Sequence, residues 1–187
     1  GSWRMAENIK GIITRWKSLE KERQPWLNHY EELSRVFCPS RGGFTSEMPD
    51  GNKRNDQLYD GTTLQAPTSL ARAIQWMFMP EHEKWLFMEA DDDRLSSSDE
   101  VQDFFARTDK TLLSRMYDPR ARLRQATGEV NQDLVIFGTG YMFVAEAEKL
   151  GYLSHRAIHP KHVVAAWDDS GMPDTVFTLY KKTLRQV

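Results

Sequence analysis

Apolar residues recur every three or four positions through most of the first 138 residues and every second position after that. Between residues 7 and 23 this spacing predicts an amphipathic helix with lysines and glutamates between its apolar positions. Pro25 interrupts the pattern, and proline suits the start of a fresh helix, so a second helix is expected as far as Phe37. The apolar positions of the two helices are Ile9, Ile12, Ile13, Trp16 and Leu19, then Trp26, Tyr30, Leu33 and Phe37.

The stretch from Leu58 to Pro80 is expected to be the central helix, onto which the flanking helices and a later sheet pack. Its apolar side chains fall at i, i+4, i+7 and i+8, a stripe that we expect to face the core. Pro67 lies inside it, so the helix either kinks there or begins close to it. The short apolar run that follows, Trp85–Ala90, predicts a buried strand. The stripe consists of Leu70, Ile74, Met77 and Phe78.

Two further helices are predicted before Gly138. Ser97 and Glu100 have the spacing of a capping box ahead of the first helix. Asp118–Pro119 is expected to supply the N-cap and first residue of the second. Gly138 stands where a left-handed residue ends a helix. The apolar positions are Val101, Phe104, Phe105, Leu112 and Met116, then Leu123, Ala126, Val130, Leu134 and Phe137.

From Thr139 onwards the alternation predicts four strands. A turn at Lys149–Gly151, a corner at His159–Pro160 and a hairpin turn at Asp168–Gly171 separate them. The predicted strands run from Tyr141 to Glu146, from Tyr152 to Ile158, from Val163 to Trp167 and from Thr175 to Leu184.

Helices first and strands afterwards predict an α+β fold, with about five helices packed against a mainly antiparallel β-meander. Residues 1–4 precede Met5 and are expected to be left over from cloning. Residues 5–138 form the predicted helical region, with a loop at 40–57, and residues 139–187 form the meander.

Composition excludes several classes of function. The formal net charge of −2 and pI of about 6.2 give no overall basic field to attract nucleic acid or acidic lipid. The single cysteine, Cys38, excludes an internal disulfide framework and favours a reducing compartment. No apolar run approaches the roughly 18–20 residues that span a bilayer, so no membrane association is predicted.

No group of residues points to catalysis, to a bound metal or to a cofactor. His155, His159 and His162 form the densest histidine group, yet they straddle a strand end and a corner, whereas zinc needs converging ligands. A metal hydrolase built on them is the third hypothesis. The consecutive carboxylates at 91–93 cannot all face one point. The run 138–140 follows a helix and precedes a strand, the reverse of a phosphate-binding loop.

Positive charge concentrates around the two helices that meet at Pro119. Such a cluster would make the chain a non-specific nucleic-acid-binding module, which is the alternative function. Nearby carboxylates offer another explanation, pairing between adjacent subunits or helices. The basic residues are Arg115, Arg120, Arg122 and Arg124, and the acidic ones are Asp99, Glu100, Asp103 and Asp109.

Short motifs follow one another in a set order along nearly the whole chain. The first group is Arg15-Trp16, Leu19, Glu22-Arg23, Trp26, Tyr30, Leu33-Ser34, Phe37, Pro39 and Arg41-Gly42. The second is Leu58-Tyr59-Asp60-Gly61-Thr62 and Phe78-Met79-Pro80 with Trp85. The third is Asp133, Phe137-Gly138-Thr139-Gly140, His159-Pro160, Asp168 with Gly171, Asp174-Thr175-Val176, Lys182-Thr183 and Arg185-Gln186. Together they resemble the head-to-tail connector, or portal, proteins of short-tailed bacteriophages; Pro67 departs from the uninterrupted helix expected there.

The resemblance implies a structural subunit without enzymatic activity. Such subunits form a ring, typically of twelve copies, at one capsid vertex of the virion, and double-stranded DNA passes through it during packaging and ejection. The implied partners are terminase, capsid and scaffolding proteins and tail adaptors, with assembly in the host cytoplasm. The chain would be the wing-like region with some early stem, ending before the rest of the stem, the clip and the crown. The candidate subunit contacts are Arg41, Tyr59, Asp60 and Trp76.

Overall fold

The computed structural model describes residues 2–45, 61–80, 83–96, 98–146 and 153–180. Its helices are α1 Ser2–Glu22, α2 Gln24–Phe37, α3 Thr62–Phe78, α4 Asp93–Ser96, α5 Asp99–Met116 and α6 Leu123–Phe137. Its strands are β1 Tyr141–Glu146, β2 Leu153–Ile158, β3 Val163–Trp167 and β4 Pro173–Thr178. Short 3-10 turns lie at Pro39–Arg41, Pro119–Ala121 and Pro160–His162. The five longer helices and the antiparallel strands confirm the α+β prediction.

The first two helices follow the predicted division at the proline. Helix α2 begins at Gln24 with Pro25 in its first turn, where the missing amide hydrogen leaves no bond unmade. Leu27, Glu31 and Ser34 lie on its buried face, at a spacing of four and three residues. The chain after α2 was predicted to be a loop from residue 40, yet its first residues pack: Phe44 is buried in the core.

Helix α3 forms as predicted but does not have the central place expected of it. Pro67 lies inside the helix and is buried with Ala71, whereas the predicted core stripe is largely uncovered. Leu70, Met77 and Phe78 are 53%, 76% and 69% exposed. The prediction that this stripe faces the core of the chain is therefore wrong for these three residues. Periodicity identifies an apolar face, but it does not say whether the same chain covers that face.

Helix α6 occupies the centre instead. Its buried residues include Leu123, Ala126, Ile136 and Phe137, and it packs against α2, α3, β1 and β2. Leu27, Cys38 and Phe44 complete the buried cluster around Ile136 and Phe137. Burying a side chain of this size contributes about 1.5–3 kcal/mol, so this cluster is the main apolar contribution to folding among the described residues.

The predicted strand at Trp85–Ala90 is not observed. The segment has no regular secondary structure, and it pairs with no strand in the described part of the chain. Side chains hold it instead: the Met88 amide donates to Asp109 Oδ1 at 3.1 Å, and the Trp85 indole donates to the Tyr117 hydroxyl. The Met88 amide thus bonds the Asp109 carboxylate of α5 instead of a carbonyl on a neighbouring strand.

Helix α6 begins about one turn later than predicted, because a 3-10 turn lies between α5 and α6. Asp118–Pro119 caps the 3-10 turn Pro119–Ala121 rather than α6, and Asp118 accepts from the Arg120 amide at 2.9 Å. Arg122 then adopts φ +56°, and α6 begins at Leu123. The N-cap residue of α5 is Ser98 and not Ser97. Ser97 lies outside the described residues.

The four strands form two separate antiparallel hairpins, β1–β2 and β3–β4, rather than one continuous sheet. The turn Pro160–His162 separates β2 from β3, because proline breaks the strand at that corner. The turn at Asp168–Gly171 is confirmed: Asp168 Oδ1 accepts from the amides of Ser170 and Met172, and Gly171 has φ +80°. The predicted turn at Lys149–Gly151 and the strand residues beyond 180 lie outside the described residues.

No helix within the described ranges combines the length and hydropathy needed to cross a membrane.

Candidate functional site

Five polar side chains from distant parts of the sequence meet where α1, α2, α6 and the corner between β2 and β3 come together. We call them the junction cluster: Arg23, Glu31, Arg41, Asp133 and His159. All five are buried or half-buried. Together they connect the N-terminal helices to the strand region, and each makes a different kind of contact.

Arg23, at the end of α1, binds the corner between β2 and β3. Its guanidinium donates to the backbone carbonyls of Pro160 at 3.2 Å, Lys161 at 2.8 Å and Val163. Its Nε donates to Glu20 Oε2 at 3.0 Å, which places an anion beside the cation. Arginine has five N–H donors in a planar fork, and lysine does not match that geometry. The corner is therefore attached to α1 by one side chain.

His159 has both ring nitrogens in use. Its Nδ1 accepts from the Lys161 amide at 3.1 Å, so the proton lies on Nε2, which donates to the Arg41 carbonyl at 2.9 Å. Burial lowers the pKa of His159 to about 4, although the bond to the Arg41 carbonyl acts in the opposite direction. The neutral ring packs against Phe44 with ring centroids 4.9 Å apart. A histidine held in this way has no lone pair left for a metal.

Arg41 and Asp133 form a buried ion pair at 2.6 Å, and the Asp133 side chain has no solvent exposure. Burial raises the pKa of Asp133 to about 6, and the attraction of Arg41 offsets only part of that effect. Glu129, 3.9 Å from Arg41, adds a second negative charge nearby. Among the described residues Arg41 Nε and Asp133 Oδ1 have no hydrogen-bond partner, so the pair is incompletely satisfied.

Glu31 organises the turn after α2. Its Oε2 accepts from three successive amides, those of Gly43 at 3.0 Å, Phe44 at 2.6 Å and Thr45 at 3.4 Å. Successive amides pointing at one carboxylate form an anion-binding concavity that the protein fills with its own side chain. Lys161 Nζ donates to the Gly43 carbonyl from the other side. The turn is thereby fixed, and Phe44 enters the core.

Beside the junction cluster lies an open groove of about 400 Å³. Trp26 and Trp167 are exposed at its rim, and Tyr30 lies between α2 and the strands. Burial raises the pKa of Tyr30, and the negative charge of an ionised Tyr141 raises it further. The lining is mostly aromatic and aliphatic, which suits contact with another protein surface better than a polar reaction.

The candidate metal ligands do not converge. His155 is buried with its Nδ1 3.1 Å from the Ala121 carbonyl, and the rings of His159 and His162 lie 6.2 Å apart. Throughout the described residues no three His, Cys, Asp or Glu side chains are close enough to hold a metal ion. Cys38 is buried, with Sγ 3.3 Å from Ser40 Oγ.

The four arginines proposed for nucleic acid are all exposed, but they are not equally available. Arg120 pairs with Asp118 at 2.7 Å and lowers the pKa of that carboxyl to about 2. Arg122 bonds the Gln125 side chain at 3.2 Å. Arg115 and Arg124 complete the set on α5 and α6.

The candidate subunit contacts also divide. Trp76, near the end of α3, is 63% exposed in the single chain. A residue that contacts another subunit has to be exposed in this way. Arg41 is directed inward at Asp133. Tyr59 and Asp60 lie outside the described residues.

Sequence reasoning gave Glu31 no role, and it named Arg23 only as one of the residues that carry the resemblance. Glu31 had a detectable signal: it lies four residues after Leu27 and three before Ser34, on the buried face of α2. A charged residue on an apolar face needs an internal partner. Arg23 offered no comparable signal, because its acceptors are backbone carbonyls 137–140 positions away.

Residues 9–187 match the bacteriophage head to tail connecting proteins, and the chain belongs to that family. It is also similar to the probable portal protein of Bordetella phage BPP-1, with 24% identity over 186 residues. The matched region covers 98% of this chain and 33% of that relative, so the chain spans about a third of the relative's length. The resemblance read from the sequence motifs is confirmed.

Some of the motif residues that carried the resemblance lie in the junction cluster or beside it. Ser34 Oγ donates to the Glu31 carbonyl at 2.8 Å and is fully buried. A Cβ on Gly42 would lie 3.1 Å from that hydroxyl, so the turn passes too close for a larger residue without adjustment. Arg23, Arg41 and Asp133 make the contacts described above. These motif residues hold the turn after α2 and the corner between β2 and β3 in place.

Proposed function

We propose that this chain is part of a portal subunit, a structural protein that forms a ring at one vertex of the phage capsid. Double-stranded DNA passes through the ring when the genome is packaged and when it is ejected. The observation that carries the proposal is the family match across residues 9–187. A relative named a probable portal protein supports it.

The physical character of the chain supports a structural role. The junction cluster uses its charged groups to hold backbone and to pair internally, and it contains no free nucleophile beside a base. The net charge of −2 fits the wall of a conduit, because many phosphate contacts would hold DNA in place and hinder its movement.

The ring would contain about twelve copies, related by a closed rotation in which each copy uses two different faces. Its partners would be the terminase during packaging, capsid and scaffolding proteins at the vertex, and tail adaptor proteins afterwards. The protein would assemble in the host cytoplasm and remain at the portal vertex of the virion.

Electron microscopy of the complete connector polypeptide tests this proposal. We expect closed rings with an axial hole wide enough for duplex DNA. A preparation that stays monomeric at high concentration contradicts it. So does turnover of a substrate that disappears when a residue of the junction cluster is replaced.

The second candidate, a non-specific nucleic-acid-binding module, rests on the exposure of Arg115, Arg120, Arg122 and Arg124. It predicts affinity for duplex DNA that falls steeply with salt, and a shallower slope for Arg122→Ala. Lys17→Ala, an exposed basic residue on α1, is the matched control. No binding at low salt removes this candidate.

A further inference from the structure

Helix α5 packs little of its surface against the rest of the described chain. Of its described residues only Asp109 is buried, and Phe104 is 60% exposed. An 18-residue helix in water gains most of its stability from packing an apolar face rather than from propensity. Phe104 and Leu112 are both exposed, so part of the apolar surface of α5 is uncovered in the single chain.

The charges of α5 are sorted by sign along its axis. Its first eight residues carry three exposed carboxylates and no basic residue, and the rest carries three exposed basic residues. These are Asp99, Glu100 and Asp103, then Arg107, Lys110 and Arg115. The one acid in the second half, Asp109, is buried and pairs with Lys84 at 2.7 Å, so it leaves the exposed surface there basic. The helix is about 27 Å long at 1.5 Å per residue.

The helix dipole explains part of this arrangement but not all of it. Carboxylates in the first turn and cations in the last turn are favourable, which accounts for Asp99, Glu100 and Arg115. The effect falls off within one turn of each end. Asp103, Arg107 and Lys110 lie further in, and the sorting continues through them. A surface with opposite charges at its two ends is complementary to a displaced copy of itself.

We propose that the acidic half of α5 in one copy binds the basic half of α5 in the next copy around the ring. This inference rests on the proposed portal function, because a ring needs two different faces that match each other. With α5 along the circumference, its two ends would reach two different neighbours. The contact would cover Phe104, which lies in the acidic half, and pair the charges on either side of it.

Duplex DNA fits this surface less well than a second copy. Phosphates would bind the basic half but would be repelled by the carboxylates, the nearest of which lies four residues before Arg107. DNA would also leave Phe104 in water. Only a protein partner with both charge signs and an apolar contact matches the whole length of the helix, and a second copy of this chain has that pattern.

Charge reversal gives a sharp test, because two variants that fail alone should succeed together. The first variant, with both halves positive, is Asp99→Lys, Glu100→Lys and Asp103→Lys. The second, with both halves negative, is Arg107→Glu, Lys110→Glu and Arg115→Glu. We expect each alone to self-associate at least about tenfold more weakly than the wild-type chain, a loss of about 1.4 kcal/mol. An equimolar mixture should associate again, and added salt should weaken it.

Sedimentation of the single variants, of the mixture and of a chain carrying both reversals provides the measurement. The doubly reversed chain should self-associate like the wild type. The controls, Lys17→Glu and Glu32→Lys, reverse exposed charges on α1 and α2 and should change nothing. Circular dichroism checks folding, and the milder pair Glu100→Gln and Asp103→Asn replaces the first variant if it unfolds.

The outcomes separate this inference from the portal proposal. If the complete polypeptide forms rings and all variants form them equally well, the α5 contact is wrong and the portal function stands. If the mixture stops at pairs of copies, the head-to-tail arrangement is wrong. If the oppositely charged variants never associate, the inference is overturned, whatever the ring experiment shows. If the reversals change only DNA binding, the basic half serves nucleic acid instead.

Discussion

Arg41 and Asp133 are 92 positions apart in the sequence, yet Nη2 of the arginine lies 2.6 Å from Oδ2 of the aspartate. The contact joins the turn after α2 to the middle of α6. Within the described ranges one nitrogen and one oxygen of the pair lack hydrogen-bond partners, so its net contribution to stability is small or negative compared with well-packed apolar residues. Its role is to fix one position of the turn on the helix.

Removing one partner of this pair should be far more damaging than replacing both. We expect Arg41→Ala to lower the free energy of unfolding by about 3–5 kcal/mol, because the Asp133 charge is left buried and uncompensated. The double variant Arg41→Met and Asp133→Leu should lose much less. Urea denaturation followed by fluorescence measures both values.

Arg35→Ala is the matched control for that comparison. Arg35 is exposed and lies 3.9 Å from Glu31, so its removal should change stability by no more than about 0.5 kcal/mol. Equal losses in Arg41→Ala and the double variant would show that the charge of Asp133 is not the source of the effect.

The pKa of Asp133 predicts one pH dependence. The folded chain holds this proton up to about pH 6, whereas the unfolded chain releases it near the ordinary value of 3.8. Stability from this group is therefore complete below about pH 4 and is lost as the pH rises through about 6. The two-unit difference corresponds to about 3 kcal/mol. Asp133→Asn should remove this decline in unfolding experiments run from pH 4 to 7.

His159 predicts the opposite slope. Its folded pKa of about 4 lies below the ordinary 6.5, so its contribution is present above pH 6.5 and is lost as the pH falls through 4. The two slopes oppose each other in the natural chain. His159→Gln keeps an N–H donor near the Arg41 carbonyl and should leave the decline caused by Asp133 uncovered. Identical pH profiles for the two variants would contradict both assignments.

Glu31 should control the protection of the turn that follows α2. In Glu31→Ala three amides lose their acceptor, and we expect a loss of about 2–3 kcal/mol. Hydrogen exchange at Gly43 and Phe44 should accelerate more than exchange in α6, because the turn opens locally. Glu32→Ala, on the exposed side of the same helix, should leave these rates unchanged.

Two glycines should respond to alanine in opposite directions. A Cβ on Gly140 would lie 2.8 Å from the Val130 carbonyl oxygen, so Gly140→Ala should destabilise the fold by about 1–3 kcal/mol. Gly11 lies inside α1 with no neighbour within 4 Å of its Cβ position, and Gly11→Ala should stabilise by about 0.5–1 kcal/mol. Thermal unfolding of the two variants tests the pair, and a lower melting temperature for both would show that α1 is not helical at Gly11.

Local signals in the sequence were enough for the elements. Helical spacing predicted α1, α2 and α6, and the change to alternation predicted β1 and β3 with their observed bounds. Gly138 takes φ +72° at the end of α6, as its position predicted. These features depend on residues within a few positions of one another, and side-chain pattern and backbone preference record such information directly.

The sequence pattern does not show in the same way which residues far apart in the chain contact each other. The stripe of α3 and the run at Trp85–Ala90 are apolar, but pattern alone does not reveal whether the covering surface belongs to this chain. The junction cluster combines residues such as Glu31 and His159 whose partners are backbone groups. Every residue has a backbone carbonyl, and every residue except proline has a backbone N–H. The identity of the partner residue therefore does not indicate that the contact is made. The resemblance identified the family, but it did not supply these contacts.

The acceptors of Arg23 are translated long after the arginine itself. At 5–20 residues per second, the carbonyls of residues 160–163 follow on the order of ten seconds behind it. Until residues 160–163 leave the ribosome, Arg23 has no carbonyl acceptors in the corner, and the aromatic side of α2 stays exposed to solvent. The helices made first therefore reach their final positions among the last, and a nascent chain stopped before residue 160 would present that side to chaperones.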